Sequence, residues 1–418
     1  MNIKYRILFV AAVLALSMGA SASRSVFDNA PATLYSEATQ FFAGKNYHAA
    51  IRYYKNFLKY SPSDVESGDE RIRIARQNIA LASYYLREAD AAQLLTSYAE
   101  EFPYTQNTQQ LELYLGILDF ERGKYKPALK RFEKIRSEEL SDDEFTQLVF
   151  YRGFCYVQQN KYEQGAYEFA QILKQQDCEY TLPSHYYYGY CEFYMKNYST
   201  ALEHLLKVKD EADFAATAPY LICQCYYYTG DCEHATVMAD SVINASPKNK
   251  YVPALKHILA SCQFKDKKHS EALENLLAYK KGNKKLARED WYMLGISYYN
   301  TDNPQKAVEC LSKVTNKDDV LTQNSYFHIA MAQLALGDKK KARMAFESAS
   351  RYNYDKNISC DALYNYALVT YELSYSPFNE SVSAFERFLK EYPESEYCSK
   401  VYEYLINVYL TTKNYQAA

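Results

Sequence analysis

Apolar residues recur along the chain at three- and four-residue intervals, in short runs broken by polar turns, and the pattern itself repeats. The stretch WYMLGISYYNTDNPQKAVECLSKV, Trp291 to Val314, shows the unit: an apolar helix carrying Leu-Gly, a polar turn, then a second apolar helix built around Ala307. LGILDFERGKYKPALKRFEKI (Leu115 to Ile135), RGFCYVQQNKYEQGAYEFAQI (Arg152 to Ile172) and YGYCEFYMKNYSTALEHLLKV (Tyr188 to Val208) share its layout: a Gly, a turn ending in Tyr, then Ala or Gly. Each predicts one helical hairpin. The small residue of the second helix falls at Ala50, Ala91, Ala128, Gly165, Ala201, Ala235, Ala272, Ala307, Ala342, Ser381 and Ala418, a period of roughly 34 to 41 residues. The expectation is ten hairpins and the start of an eleventh.

The small residues have a physical reason. Two antiparallel helices approach closely only where one presents a small residue and the other a large one that fills the gap. Gly116, Gly153, Gly189, Gly295 and Ala330 are the small residues of the first helices. Tyr47, Tyr125, Tyr162, Tyr198 and Tyr415 sit beside the turn and are expected to cover it, while Pro62, Pro103, Pro247 and Pro393 are placed to stop second helices.

On these residues the chain resembles the tetratricopeptide-repeat family, most clearly at Trp291, Leu294, Gly295, Tyr298, Ala307 and Leu311. The resemblance implies an all-α fold, a right-handed α-solenoid of stacked antiparallel helix pairs whose concave face is lined by the first helix of each pair. It extends over residues 33–418. SVSAFERFLKEYPESEYCSKVYEYL (Ser381 to Leu405) further resembles the repeats of BamD-like and Tol-Pal-associated envelope proteins. Extra residues around Ser374 to Phe378 interrupt the tenth repeat, and the close of the sequence at Ala418 predicts that the natural chain continues.

Composition adds compartment and partner class. Hydrophobic residues make up 48% and charged residues 24%, with only 12 Gly and 11 Pro, which excludes a disordered or loop-rich β chain. The start, MNIKYRILFVAAVLALSMGASAS, has a basic end (Lys4, Arg6), an apolar run from Ile7 to Leu16 and the pair Ala20 and Ala22. It reads as a signal peptide cleaved after Ala22, followed by a linker over 23–32, and no Cys lies near the cleavage point to carry a lipid. Loss of Lys4 and Arg6 leaves 46 basic against 51 acidic residues, which argues against nucleic acid as the main ligand. An exported, periplasmic protein is expected.

No catalytic or metal motif emerges. HExxH, GxSxG, a P-loop and a CxxC pair are all missing, and the seven His are scattered along the repeats. No cofactor, small-molecule substrate or enzymatic activity is expected. Cys155, Cys191, Cys225 and Cys262 share one register of four successive first helices. Stacked helices lie roughly 8–10 Å apart, beyond the reach of a disulfide, so these four read as small buried apolar residues. Cys223 and Cys225 make a poor metal claw, and Cys178, Cys360 and Cys398 are the more accessible thiols.

The resemblance also points to a ligand face. Positions three before and four after the small residue of each first helix turn toward the groove in family members, and here they are crowded with aromatics. The candidate partner-binding residues are Phe150, Phe154, Tyr186, Tyr190, Phe193, Tyr194, Tyr220, Tyr227, Tyr228, Tyr292 and Tyr299. Rings with polar tips bind peptides at low entropic cost. Equally, rings there pack neighbouring helices, so both roles stand open at each position. The functional expectation is a scaffold that holds a peptide or helix of another envelope protein, with peripheral association with membrane complexes allowed. The alternative is the exported sensor or docking region of a larger protein whose further part carries a signalling or enzymatic domain.

Overall fold

The computed structural model describes residues 31–61, 69–103, 107–283, 285–374 and 379–418. The stretch read as a signal peptide, most of the expected linker, Pro62 and all but Ser374 of the extra tenth-repeat residues lie outside them. Among the described residues the regular structure is helical, without strands, in two compact units, Met1–Gln159 and Asn160–Ala418.

The first unit holds α1 (Pro31–Ala43), α2 (Tyr47–Tyr60), α3 (Glu70–Tyr85), α4 (Ala91–Glu101), α5 (Thr108–Glu121), α6 (Tyr125–Phe132) and α7 (Asp142–Gln158). The second holds α8 (Tyr162–Ile172), α9 (Thr181–Tyr194), α10 (Tyr198–Leu206), α11 (Ala218–Thr229), α12 (Cys232–Ala245), α13 (Val252–Lys265) and α14 (His269–Gly282). It continues with α15 (Arg288–Asn300), α16 (Pro304–Leu311), α17 (Val320–Ala335), α18 (Lys339–Ser350), α19 (Lys356–Leu373), α20 (Asn379–Glu391) and α21 (Cys398–Thr411). Within each unit every helix packs on the next, and the odd-numbered first helices also touch one another, as α9, α11, α13, α15, α17 and α19 do in the second. The core is therefore a thin layer between helices rather than one central mass.

The hairpins meet the small-against-large rule. A Cβ added to Gly295 would lie 2.5 Å from Leu311 Cγ and one on Gly189 would lie 2.8 Å from Leu205 Cγ, while one on Gly116 would overlap the Phe132 ring. Ala50, Ala128, Ala201, Ala235, Ala272, Ala307 and Ala342 are fully buried on the second helices. Ala418 is exposed and non-helical.

A common turn recurs in the hairpins. Seven residues after the small residue stands a residue of positive φ, between 55° and 87°: Lys45, Gly123, Lys196, Gly230, Lys267, Asp302, Gly337. The following amide donates back to the carbonyl five residues earlier, as Asn197 N to Glu192 O (2.9 Å) and Asn303 N to Tyr298 O (2.9 Å). This closes the carbonyls of the first helix and reverses the chain. Lys413 repeats the turn after α21, where Ile406 occupies the small-residue position. Tyr402, Ile406 and Leu410 are exposed on that helix, and Leu405 is buried. Pro103, Pro247 and Pro393 follow the ends of α4, α12 and α20, as expected of helix stops.

Replacing Gly295 by Ala is expected to destabilise the chain by about 1–3 kcal/mol through overpacking against Leu311. Gly123→Ala has open space around the new methyl, with φ +75°, and is expected to cost about 1 kcal/mol through the backbone alone. Urea titration of both variants checks this; an unchanged midpoint for Gly295→Ala would refute the contact.

Candidate functional site

The aromatic positions separate into rings that hold the stack together and rings that are still open. Two ring contacts recur between neighbouring hairpins. In the first, the tyrosine that begins a second helix stacks on a tyrosine near the end of the next first helix: Tyr47 on Tyr85 (4.8 Å), Tyr162 on Tyr194 (4.8 Å, 12° between planes) and Tyr198 on Tyr228 (4.6 Å, 19°). In the second, a ring early in a first helix stacks on one in the loop leading to the next: Tyr186 on Phe214 (4.3 Å, 14°), Tyr220 on Tyr251 (4.3 Å, 11°) and Tyr364 on Tyr397 (4.3 Å, 11°). Offset rings at such distances contribute about 0.5–1.5 kcal/mol beyond their burial.

These contacts correct part of the expected ligand face. Phe150 (8% exposed), Phe154 (9%) and Tyr186 (7%) are core residues. Phe154 packs edge-on against Phe120 at 5.1 Å, and Phe150 against Tyr151 at 5.6 Å. The Tyr186 hydroxyl donates to Thr217 Oγ1 at 2.9 Å, so both ends of that side chain are held. Tyr220 is half-buried against Tyr251, and burial pushes its phenol up to about 12. Tyr292 lies among Phe264 and Asn324, and Tyr299 beside His328. Tyr227 lies under Lys265, whose Nζ is 4.6 Å from the ring centroid.

What remains open is concentrated on α9 and α11. Tyr186, Tyr190 and Tyr194 follow one another at four-residue spacing along one face of α9. Tyr190 meets Tyr194 at 4.7 Å, and burial raises its phenol above the usual range. Phe193 touches Tyr198 at 5.7 Å and Tyr228 at 6.3 Å. Tyr194 (47% exposed) and Tyr228 (51%) are each pinned on one face by a flat neighbour with much of the ring left to solvent. The turn tyrosines therefore do more than cover their own turn: Tyr162 and Tyr198 orient these two rings.

The polar groups are structural in geometry. His185 and His204 face each other with Nδ1 atoms 2.9 Å apart, one donating to the other, beside Tyr188. Burial, then Lys207, then His204 push His185 down to about 4; burial and Lys207 lower His204 as well. Burial also pushes His328 down to about 4, and its Nδ1 and Asn324 Oδ1 lack hydrogen-bond partners among the described residues. His257 Nε2 meets Asp290 Oδ1 at 2.6 Å, and Asp290 in turn accepts from Ala287 N (2.9 Å) at the start of α15. All ten cysteines are free thiols; Cys155, Cys191, Cys223, Cys225 and Cys262 are buried, Cys178 is exposed, and Cys360 and Cys398 are intermediate. Among the described residues no three His, Cys, Asp or Glu side chains group as a metal site, and no helix is long and apolar enough to cross a membrane.

Residues 291–318 and 324–352 match the tetratricopeptide repeat family model. The matched residues fall in hairpins α15/α16 and α17/α18. No curated protein matches the chain significantly. Similar solved structures include a tetratricopeptide repeat protein from Parabacteroides merdae, 14% identical over 62% of this chain and 98% of that one, at a TM-score of 0.38. Another is pilF of Pseudomonas aeruginosa, 12% identical over 52% of this chain and 95% of that one, at 0.40. A third is YrrB, titled a TPR protein with an unusual peptide-binding site, 15% identical over 46% of this chain and 94% of that one, at 0.38.

The histidines set a pH dependence. Their pKa values are lowered by folding, so between the ordinary value near 6.5 and about 4 the unfolded chain binds more protons, and stability is lost as pH falls through that window. The melting temperature is expected to fall from pH 7 to pH 5, less so in His185→Gln/His328→Gln; an equal fall in both proteins would refute the assignment.

Proposed function

We propose that this chain is a non-enzymatic interaction scaffold of the bacterial cell envelope, holding an extended or helical segment of another envelope protein against the first-helix face of α9 and α11. The observation that carries the reading is the pair Tyr194 and Tyr228, each fixed by a stacked neighbour yet about half exposed. A ring that is already oriented loses little freedom when a partner covers it, so more of the contact energy is left for binding. Tyrosine adds a large flat surface with a polar rim, which suits a peptide with both apolar and polar groups. Tandem hairpins supply a long surface that is organised before the partner arrives. Export rests on the N-terminal pattern of Lys4 and Arg6, the run from Ile7 to Leu16, and Ala20 and Ala22.

The test replaces Tyr194 and Tyr228 together by Ser and leaves the buried Tyr186 untouched. The variant is expected to lose the partner that the wild-type chain captures from envelope extract. Its melting temperature should fall by only a few degrees, since each replacement removes about 0.5–1.5 kcal/mol of stacking. Retention of the partner would refute the face. The mass of the chain recovered from the periplasmic fraction tests export: cleavage after Ala22 is expected, and an intact N-terminus in the cytoplasm would contradict it.

A further inference from the structure

A different surface carries an unpaired positive charge. Helices α14 and α16, the second helices of neighbouring hairpins, both pack on α15. Trp291, the single tryptophan of the chain, is half-buried near the start of α15. Lys280, near the end of α14, places Nζ 4.8 Å from the Trp291 ring centroid, and Lys313, just past α16, places its own at 3.6 Å. Lys306, in the first turn of α16, lies with Nζ 5.4 Å from the Tyr298 ring. Lys306 and Cys310 are four residues apart on one face of α16, and Lys313 follows just past its end. The buried Cys310 thiol lies in the field of all three ammonium groups: burial raises its pKa, the lysines pull it back, and Glu309 pushes it up.

Among the described residues none of these three lysines forms an ion pair. An ammonium over an exposed ring gains about 0.5–1 kcal/mol, whereas a hydrogen bond to a charged partner is worth about 1.5–3 kcal/mol. The rings thus orient three exposed charges without neutralising them. Composition does not force this, since the chain has 51 acidic residues against 48 basic ones.

We propose that Lys280, Lys306 and Lys313 form an anion-binding site on the second-helix side of α14–α16, which takes the carboxylates of an acidic segment of another protein. The rings under Lys313 and Lys306, Trp291 and Tyr298, are about 10 Å apart along α15, at 1.5 Å per residue, a span matched by side chains a few residues apart in an extended peptide. Trp291, half-buried beside Lys280 and Lys313, offers such a chain apolar contact between its charges. The cluster contains no arginine fork for phosphate, and its three charges flanked by Glu309 make a narrow field for a membrane surface or a nucleic acid. The site is separate from the α9 and α11 face and stands or falls independently of it.

The single tryptophan makes the test direct. The full chain is titrated with capped hexaglutamate while Trp291 emission is followed, with hexaglutamine, inorganic phosphate and phosphatidylserine vesicles as parallel arms at fixed ionic strength. Hexaglutamate is expected to give a saturable change that hexaglutamine does not. Lys280→Gln/Lys313→Gln should weaken it about tenfold, near 1.4 kcal/mol, while Lys280→Arg/Lys313→Arg retains it, which separates lost charge from lost folding. An equal response to hexaglutamine, an identical midpoint for phosphate, an unchanged midpoint in the Gln variant, or vesicles binding more tightly through the same lysines would each overturn the proposal.

Discussion

The structure depends on how closely two helices of a hairpin can approach. Gly295 against Leu311 and Gly189 against Leu205 leave no room for a single added methyl. That intimacy fixes the axial register of the pair, because a slide of one residue would drive a larger side chain into the same gap. With the register fixed, the residue seven positions on reaches the turn and takes the left-handed conformation, whether it is Gly123, Lys196 or Asp302. Non-glycine residues are strained there, by roughly 1–2 kcal/mol each. Their recurrence shows that the packing above the turn outweighs the local cost.

Between hairpins the glue is of another kind. Flat ring pairs such as Tyr162 with Tyr194, Tyr220 with Tyr251 and Tyr364 with Tyr397 join each hairpin to the next. Polar clasps add to them at the starts of first helices: Arg288 Nη1 reaches Asp319 Oδ2 at 2.6 Å, and Gln323 Nε2 reaches Ser359 Oγ at 2.8 Å. This accounts for many of the 45 tyrosines. A thin repeat array has little interior, and a ring with a wet edge can serve an interface that is buried on only one side. The same economy creates the candidate binding face, since a ring stacked from one side is already oriented on the other.

Much of the hairpin architecture was legible from the sequence because it is written in small residues at a fixed period. Gly116, Gly189, Gly295 and the second-helix alanines stand at the contacts their spacing implied. The division of labour among the aromatics was not legible. Tyr186 and Tyr194 lie on one face of the same helix, yet one is buried and the other half open. What separates them is the position of Phe214, in a loop that belongs to no periodic pattern. Tyr220 was obscured in the same way by Tyr251. The His185–His204 pair and the lysines around Trp291 join residues from different helices whose side-chain reach no spacing rule records.

The rings of α9 and α11 divide into scaffold and available surface, and chemical accessibility tests that division most directly. Brief nitration of the native chain, mapped by mass spectrometry, is predicted to modify Tyr194 and Tyr228 well before Tyr186 and Tyr220. Modification of all four at equal rates would contradict the stacked geometry and, with it, the assignment of this face.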